Sequence, residues 1–161
     1  MSSEHQAWIR MRMTPADARY GGGLVDGGRI LQIFGDLATE LSIAVDGDEG
    51  LFCAYDNVEF LGSVHSGDFI EASATVTRLG NTSRRMAFEA RRRIAPAPER
   101  GETAADLLPE PEILVRASGT VVVPKHRQRP RATTHPDSHS QPTTSSPTSS
   151  PSPITEPRSH R

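Results

Sequence analysis

A glycine-rich segment that runs directly into a long apolar helix constrains this chain more than any other feature. Residues 20–40 read YGGGLVDGGRILQIFGDLATE, and apolar positions continue as far as Val45. The spacing predicts a helix over Leu24–Val45. A helix that is apolar over most of its circumference must be covered, so we expect one sheet to curl around it.

The polar positions of this helix predict chemistry. At ~100° per residue, Arg29, Gln32, Asp36 and Glu40 fall within one narrow stripe. The glycine turn would present backbone N–H groups at the positive end of the helix dipole. Such donors beside a carboxylate base are what is needed to remove a proton next to a carbonyl group. An enzyme is the leading interpretation. A solvated outer face, with Arg29 loosely paired to Asp36, explains the stripe equally well.

The remainder of the folded part reads as antiparallel strands. Alternation between apolar and polar residues is clearest over 69–79 and 84–94, with the turn residues Gly80 and Asn81 between the two runs. We predict strands at Gln6–Met13, Leu51–Leu61, Phe69–Leu79, Arg84–Ile94 and Ile113–Val123. The four prolines between Ala95 and Glu112 predict a long loop there.

Charge and composition exclude several classes of protein. Residues 1–124 carry a net charge of −6, which argues against a nucleic-acid-binding surface on the domain. Cys53 is the single cysteine, so no internal disulfide is possible. No apolar run approaches the ~20 residues of a membrane span, and the N-terminus lacks a signal-peptide pattern. No His, Cys or Asp cluster has the spacing of a metal site. We therefore expect a soluble cytoplasmic protein without a metal.

The composition changes abruptly at Lys125. Of the last 37 residues 21 are Pro, Ser or Thr, and their net charge is +4. Such a segment cannot bury enough apolar surface to offset its ordering entropy. We predict a folded domain over residues 1–124 and a disordered tail over 125–161. The basic patch Lys125–Arg131 is most simply part of a solubilising tail.

Six blocks of this sequence form a distinctive set: Asp17-Ala-Arg-Tyr-Gly-Gly, Leu24-Val-Asp-Gly, Phe34-Gly-Asp-Leu-Ala-Thr-Glu-Leu, Val45-Asp-Gly-Asp-Glu-Gly-Leu-Phe, Gly67-Asp-Phe-Ile-Glu and Ala117-Ser-Gly-Thr-Val-Val-Val-Pro. Together they resemble the hotdog fold, and within it the family of 3-aminobutyryl-CoA ammonia lyase and β-alanyl-CoA:ammonia lyase. The resemblance implies an α+β fold, in which one long central helix is wrapped by a curved antiparallel sheet of about five strands. One departure is Gly23, where the glycine turn of the family usually has asparagine.

The resemblance implies a carbon–nitrogen lyase that eliminates ammonia from a 3-aminoacyl-CoA. Asp36 is the candidate base at the α carbon and Glu40 the candidate group for the amine, although these two roles can be exchanged. Tyr20 and His65 are weaker catalytic candidates. A buried tyrosine with a satisfied hydroxyl is at least as good an explanation for Tyr20, and a turn histidine is a commoner explanation for His65.

Two segments of the chain are the candidates for binding the substrate, one through its backbone and the other through its side chains. The amides of Gly22, Gly23, Leu24 and Val25 are the candidate donors for the thioester oxygen. Ser83, Arg84 and Arg85, on the predicted hairpin, are the candidates for contact with the pantetheine and phosphates of CoA. CoA is part of the substrate, so no separate cofactor is expected.

The resemblance also implies a homodimer, often arranged as a trimer of dimers, with the active site where the helix of one subunit meets its partner. We expect no nucleic-acid or membrane partner. Two other functions stay open. One is an acyl-CoA thioesterase on the same scaffold, because an acid at Asp36 would also activate water. The other is a non-catalytic module that binds a ligand or another subunit.

Overall fold

The computed structural model describes residues 5–130, which form one long helix and two antiparallel sheets. The helix α1 is Gly27–Asp46. The strands are β1 (Gln6–Arg12), β2 (Leu24–Val25), β3 (Leu51–Phe60), β4 (Val64–His65), β5 (Phe69–Leu79), β6 (Ser83–Pro96) and β7 (Ala105–Val122). Short 3-10 turns lie at Pro15–Asp17, Gly21–Gly23 and Lys125–Arg127.

Five strands form the main sheet in the order β1-β5-β6-β7-β3, and every pairing in it is antiparallel. The small strands β2 and β4 pair with each other beside the start of α1. The prediction of an α+β fold with one central helix and about five strands is confirmed.

The core lies between one face of the sheet and α1. Alternate residues of β5 point inward, as the sequence predicts, and Ile70, Ala72 and Ala74 are all buried. From the helix, Ile33, Phe34 and Leu37 meet them, and the Phe34 ring stacks on Phe88 of β6 with 5.2 Å between centroids.

The predicted start of the helix is wrong by three residues. Leu24 and Val25 are extended and pair with β4, and the helix begins after Asp26. The Asp26 carboxylate accepts a hydrogen bond from the Arg29 amide at 3.2 Å, which is the usual role of an aspartate at an N-cap. The other end agrees with the sequence. There Gly47 adopts φ +74°, a left-handed conformation that favours glycine after a helix.

The predicted loop between Ala95 and Glu112 is shorter than expected. β6 continues to Pro96 and β7 begins at Ala105, which leaves a connection of eight residues. Two prolines are accommodated within β7 because the register shifts opposite Arg93, between the pairs Arg92–Glu112 and Ile94–Leu107. A bulge of this kind needs no ladder hydrogen bond from the prolines it contains.

The predicted domain ends at Pro124, and the structure continues from there into a short ordered turn, Lys125–Arg127. After Pro124, Gln128 donates to the carbonyls of Asn81 and Val123, and the Arg129 amide donates to the Asp46 carbonyl at 2.7 Å. The rest of the predicted tail, residues 131–161, lies outside the described residues, so its disorder stays a prediction. Among the helices of residues 5–130, none combines the length and the hydropathy of a membrane span.

Candidate active site

The two helix acids lie on the open side of α1. Asp36 and Glu40 are both exposed, as is Gln32 on the same stripe. The Arg29 side chain is held by the Asp17 carboxylate at 2.8 Å and by the Gln32 side-chain oxygen at 3.1 Å. The predicted pairing of Arg29 with Asp36 is therefore wrong, whereas the solvated outer face agrees with the exposure of the stripe. Within residues 5–130, neither Asp36 nor Glu40 forms an ion pair.

The glycine turn depends on left-handed backbone conformations. Gly22 has φ +69° and Gly23 has φ +75°, a region that glycine adopts without cost. Asparagine is the side chain that best tolerates the same region. Gly23 in place of the family's asparagine therefore preserves the backbone of the turn but removes an amide side chain.

The turn is anchored beside His65. The Ser66 amide donates to the Gly23 carbonyl at 2.8 Å, and Leu24 is the register partner of His65 in the β2–β4 pair. The predicted donor segment 22–25 thus lies directly before the helix rather than in its first turn. The first helical amides are those of Gly27 and Gly28, and they adjoin this segment.

A surface pocket of about 520 Å³ lies at the start of the polar stripe. It is lined by Ala16, Asp17, Arg19, Asp26, Gly28, Arg29 and Gln32. Hydrogen bonds from the Thr14 backbone and hydroxyl, together with Arg29, lower the pKa of the Asp17 carboxyl group. Asp17 therefore stays ionised and holds the Arg29 side chain at the N-terminal end of α1. Tyr20, which directly precedes the glycine turn, is 59% exposed rather than buried.

His65 lines a different pocket, of about 500 Å³, together with Asp68, Arg92 and Pro96. The buried Asp68 carboxylate accepts from the His65 amide at 2.8 Å and from the Arg92 side chain at 3.1 Å. These bonds fix the turn that carries His65. The structure places this histidine beside the glycine turn, but not in the pocket at the start of the stripe.

The hairpin residues lie at the other end of α1. The Arg84 guanidinium is fully buried and donates to both oxygens of Asp46, the last residue of the helix, at 2.6 Å each. Its remaining nitrogen donates to the carbonyls of Gly80 and Ser83. The prediction that Arg84 contacts CoA is therefore wrong, because the side chain is enclosed and its donors are engaged.

Arg85 and Ser83 keep some exposure but are distant from the glycine turn. Arg85 points away from α1 and pairs with Asp56 at 2.6 Å. A helix of 20 residues is roughly 30 Å long, so the hairpin and the glycine turn lie at opposite ends of it. One protomer therefore does not bring the two predicted substrate-binding segments together.

Comparison with known proteins identifies the family. The chain is 57% identical, over 121 residues, to the 3-aminobutyryl-CoA ammonia lyase of Acetoanaerobium sticklandii. The match covers 75% of this chain and 96% of that enzyme. The chain belongs to the 3-aminobutyryl-CoA ammonia lyase family. A family model for the thioesterase superfamily matches residues 22–93.

Solved structures agree with membership of this ammonia lyase family. The β-alanyl-CoA:ammonia lyase of Clostridium propionicum is 34% identical, with a TM-score of 0.74 over 77% of this chain and 88% of that one. A hexameric hotdog fold thioesterase of Campylobacter jejuni is 21% identical, with a TM-score of 0.58 over 76% of this chain and 86% of that one. At that identity the likeness shows the fold alone. The predicted hotdog fold and ammonia lyase family are both confirmed.

Sequence reasoning missed three residues that shape this member of the ammonia lyase family. Asp46 and Asp68 are buried carboxylates that bind arginines of β6. In the sequence each adjoins a glycine, which is the pattern of an ordinary turn residue. Tyr55 of β3 donates its hydroxyl to the Leu31 carbonyl at 3.2 Å. Burial raises the pKa of the Tyr55 phenol, so this hydroxyl remains a donor at neutral pH. The sequence carried no signal for this contact between distant elements.

Proposed function

We propose that this protein catalyses the reversible elimination of ammonia from a 3-aminoacyl-CoA, with Asp36 and Glu40 as its acidic catalytic groups. The observation that supports the proposal most strongly is the 57% identity to a 3-aminobutyryl-CoA ammonia lyase over nearly the whole length of that enzyme. The exposed stripe on α1 supplies two carboxylates that the described fold leaves without ionic partners.

The two carboxylates take different roles in the proposed reaction. The Asp36 carboxylate removes the proton from the α carbon, and the electron pair of that C–H bond moves toward the thioester carbonyl. The C3–N bond then breaks with its electron pair on nitrogen, the electrons held on the thioester form the C2–C3 double bond, and ammonia leaves. Glu40, one turn further along α1, holds the positively charged amine before it leaves. The same steps in reverse add ammonia to the unsaturated thioester.

Charge that develops on the thioester oxygen needs backbone donors. The turn amides of Gly22 and Gly23, and those of Gly27 and Gly28 at the start of α1, are the candidates for this role. Loss of one well-placed donor of this type costs about 2.7–4 kcal/mol of transition-state stabilisation. The amides of Leu24 and Val25, whose pairing with β4 fixes the turn, remain candidates for the same role.

We also propose that the working enzyme is a homodimer or a trimer of dimers. The edge strand β3 exposes Leu51, Phe60 and the adjoining Leu61, each more than half exposed. An open sheet edge that carries such residues is suited to association. The glycine turn and the β5–β6 hairpin lie at opposite ends of α1 in one protomer, so a second copy is needed to bring the two kinds of group together. Ser83 and Arg85 remain candidates for contact with CoA in such an assembly, and His65 and Tyr20 remain catalytic candidates.

An assay of two products distinguishes the proposed lyase from a thioesterase. Full-length protein is incubated with 3-aminobutyryl-CoA, β-alanyl-CoA and crotonyl-CoA plus ammonia, while free ammonia and free thiol are both measured. The proposal predicts ammonia from the amino substrates, its consumption with crotonyl-CoA, and no thiol. Thiol release without ammonia would establish the thioesterase instead, and tight binding without turnover would indicate a non-catalytic module.

A further inference from the structure

No contact within the protomer explains why position 35, in the middle of α1, is a glycine. Contacts do explain the other two glycines of the helix. A Cβ atom on Gly27 would lie 2.4 Å from the Phe60 ring, and one on Gly28 would lie 2.8 Å from the Asp26 carboxylate. A Cβ on Gly35 would meet no heavy atom within 4 Å, and the residue lies within the regular helix. Neither internal packing nor backbone conformation therefore requires glycine at this position.

Glycine at this position works against the helix. In a helix interior it is the least favourable residue after proline, because its backbone loses the most freedom on folding. A helix interior that carries glycine without an internal steric reason is suited to close approach by another molecule, since the bare backbone allows it.

The groups around Gly35 indicate which molecule approaches the helix there. The residue directly precedes Asp36 and is half-buried. One turn earlier, the Tyr55 hydroxyl donates to the Leu31 carbonyl at 3.2 Å. One turn later, the Thr39 hydroxyl donates to the Gly35 carbonyl at 3.0 Å. The open backbone is thus framed by two hydroxyl groups whose oxygens can still accept hydrogen bonds.

We propose that the thioester end of the acyl-CoA substrate crosses α1 at Gly35 and packs directly on its backbone, so that the neighbouring Asp36 carboxylate reaches the α carbon. This inference rests on the proposed function. A methyl group on Gly35 would occupy the contact and displace the α carbon from the base. A strand of a second copy is the competing occupant of the same space, and the experiment separates the two.

The test is Gly35→Ala in the full-length protein, with thermal unfolding, assembly mass and the kinetics of ammonia release all measured. The variant should melt roughly 2–4 °C higher, because alanine favours the helix. Its assembly mass should be unchanged, and its kcat/KM for 3-aminobutyryl-CoA should fall by about tenfold or more. Unchanged kinetics would overturn the proposal. A changed assembly mass would overturn it in favour of the second copy.

A double variant, Gly35→Ala with Ala44→Gly, controls for stiffening of the helix. Ala44 is exposed on the same helix, so its replacement returns the melting temperature toward that of the wild type without removing the added methyl group. Ammonia release should stay low, and recovery of the wild-type rate would show that stiffness rather than contact was responsible. If the wild type releases no ammonia at all, the proposed function fails. Equal crotonyl-CoA affinities of wild type and Gly35→Ala would then also reject the contact at Gly35.

Discussion

Individual arginines of this protein have sharply different surroundings although they are adjacent in sequence. Arg84 is fully buried against Asp46, whereas Arg85 on the next position of β6 is about half exposed and pairs with Asp56 on the outer face. Alternation along a strand forces this division, since successive side chains point to opposite faces. Arg84 thereby links the β5–β6 hairpin to the end of α1, and Arg85 adds little to the fold.

We predict that Arg84→Met and Asp46→Leu each destabilise the protein by about 3–5 kcal/mol, because each leaves an uncompensated buried charge. The combined variant should recover most of that loss, since it buries no charge. Arg85→Met is the matched control and should cost no more than about 1 kcal/mol, as expected for an exposed pair. Urea unfolding of the four variants provides the measurement. A double variant as unstable as the sum of the single ones would contradict the ion-pair explanation.

At the level of elements, the loop before the glycine turn is held to the start of α1 by Asp17. Its carboxylate accepts from the Thr14 amide and hydroxyl at 2.7 Å each and from Arg29 at 2.8 Å. Because these bonds lower the folded-state pKa of Asp17, its contribution to stability is fully present above the unfolded-state pKa of about 3.9. The contribution is lost as pH falls through the lower folded-state value.

Asp17→Asn should therefore make the free energy of unfolding depend less steeply on pH at the acid end of the curve, its acid limb. Between about pH 4 and pH 2 the wild type should lose more stability than the variant, since protonation of Asp17 removes bonds that the variant already lacks. Denaturant unfolding at a series of pH values measures this difference. Glu102→Gln, an exposed change in the β6–β7 connection, is the control and should leave the limb unchanged. Parallel acid limbs for wild type and Asp17→Asn would show that Asp17 is not linked to folding.

Sequence periodicity predicts those elements whose contacts repeat locally, and it misses those set by distant partners. The alternation of β5 and the outward stripe with Asp36 and Glu40 follow from spacing alone. The predicted helix start is wrong because Leu24 and Val25 pair with Val64 and His65, about 40 residues away. The predicted contact of Arg84 with CoA is wrong for the same reason, since its partner Asp46 lies 38 residues earlier. Hydropathy alone does not report such pairings.

For the molecule as a whole, the described fold ends later than the composition suggests. The residues just after Pro124 return to the end of α1 and to the β5–β6 hairpin, through Arg129 and Gln128. Both contacts lie at the same end of the molecule as the Asp46–Arg84 pair. The segment 125–130 therefore closes this end of the helix.

Two truncations test the role of this segment. A chain that ends at Pro130 should unfold at the same denaturant concentration as the full protein and keep its ammonia release. A chain that ends at Pro124 should be less stable by about 1–3 kcal/mol, because it loses three hydrogen bonds and uncovers carbonyl groups at the end of α1. Equal stability of the two truncated chains would contradict a structural role for residues 125–130.

The central claim is that Asp36 removes the α proton, and turnover by Asp36→Asn is its most direct test. The variant should release ammonia from 3-aminobutyryl-CoA about 10²–10⁴ times more slowly than the wild type, with unchanged assembly mass and unchanged affinity for crotonyl-CoA. Glu40→Gln should also lose more than about tenfold, with a raised KM for the amino substrate, whereas the exposed Glu102→Gln should behave as wild type. A rate for Asp36→Asn within a few-fold of the wild type would contradict the assignment.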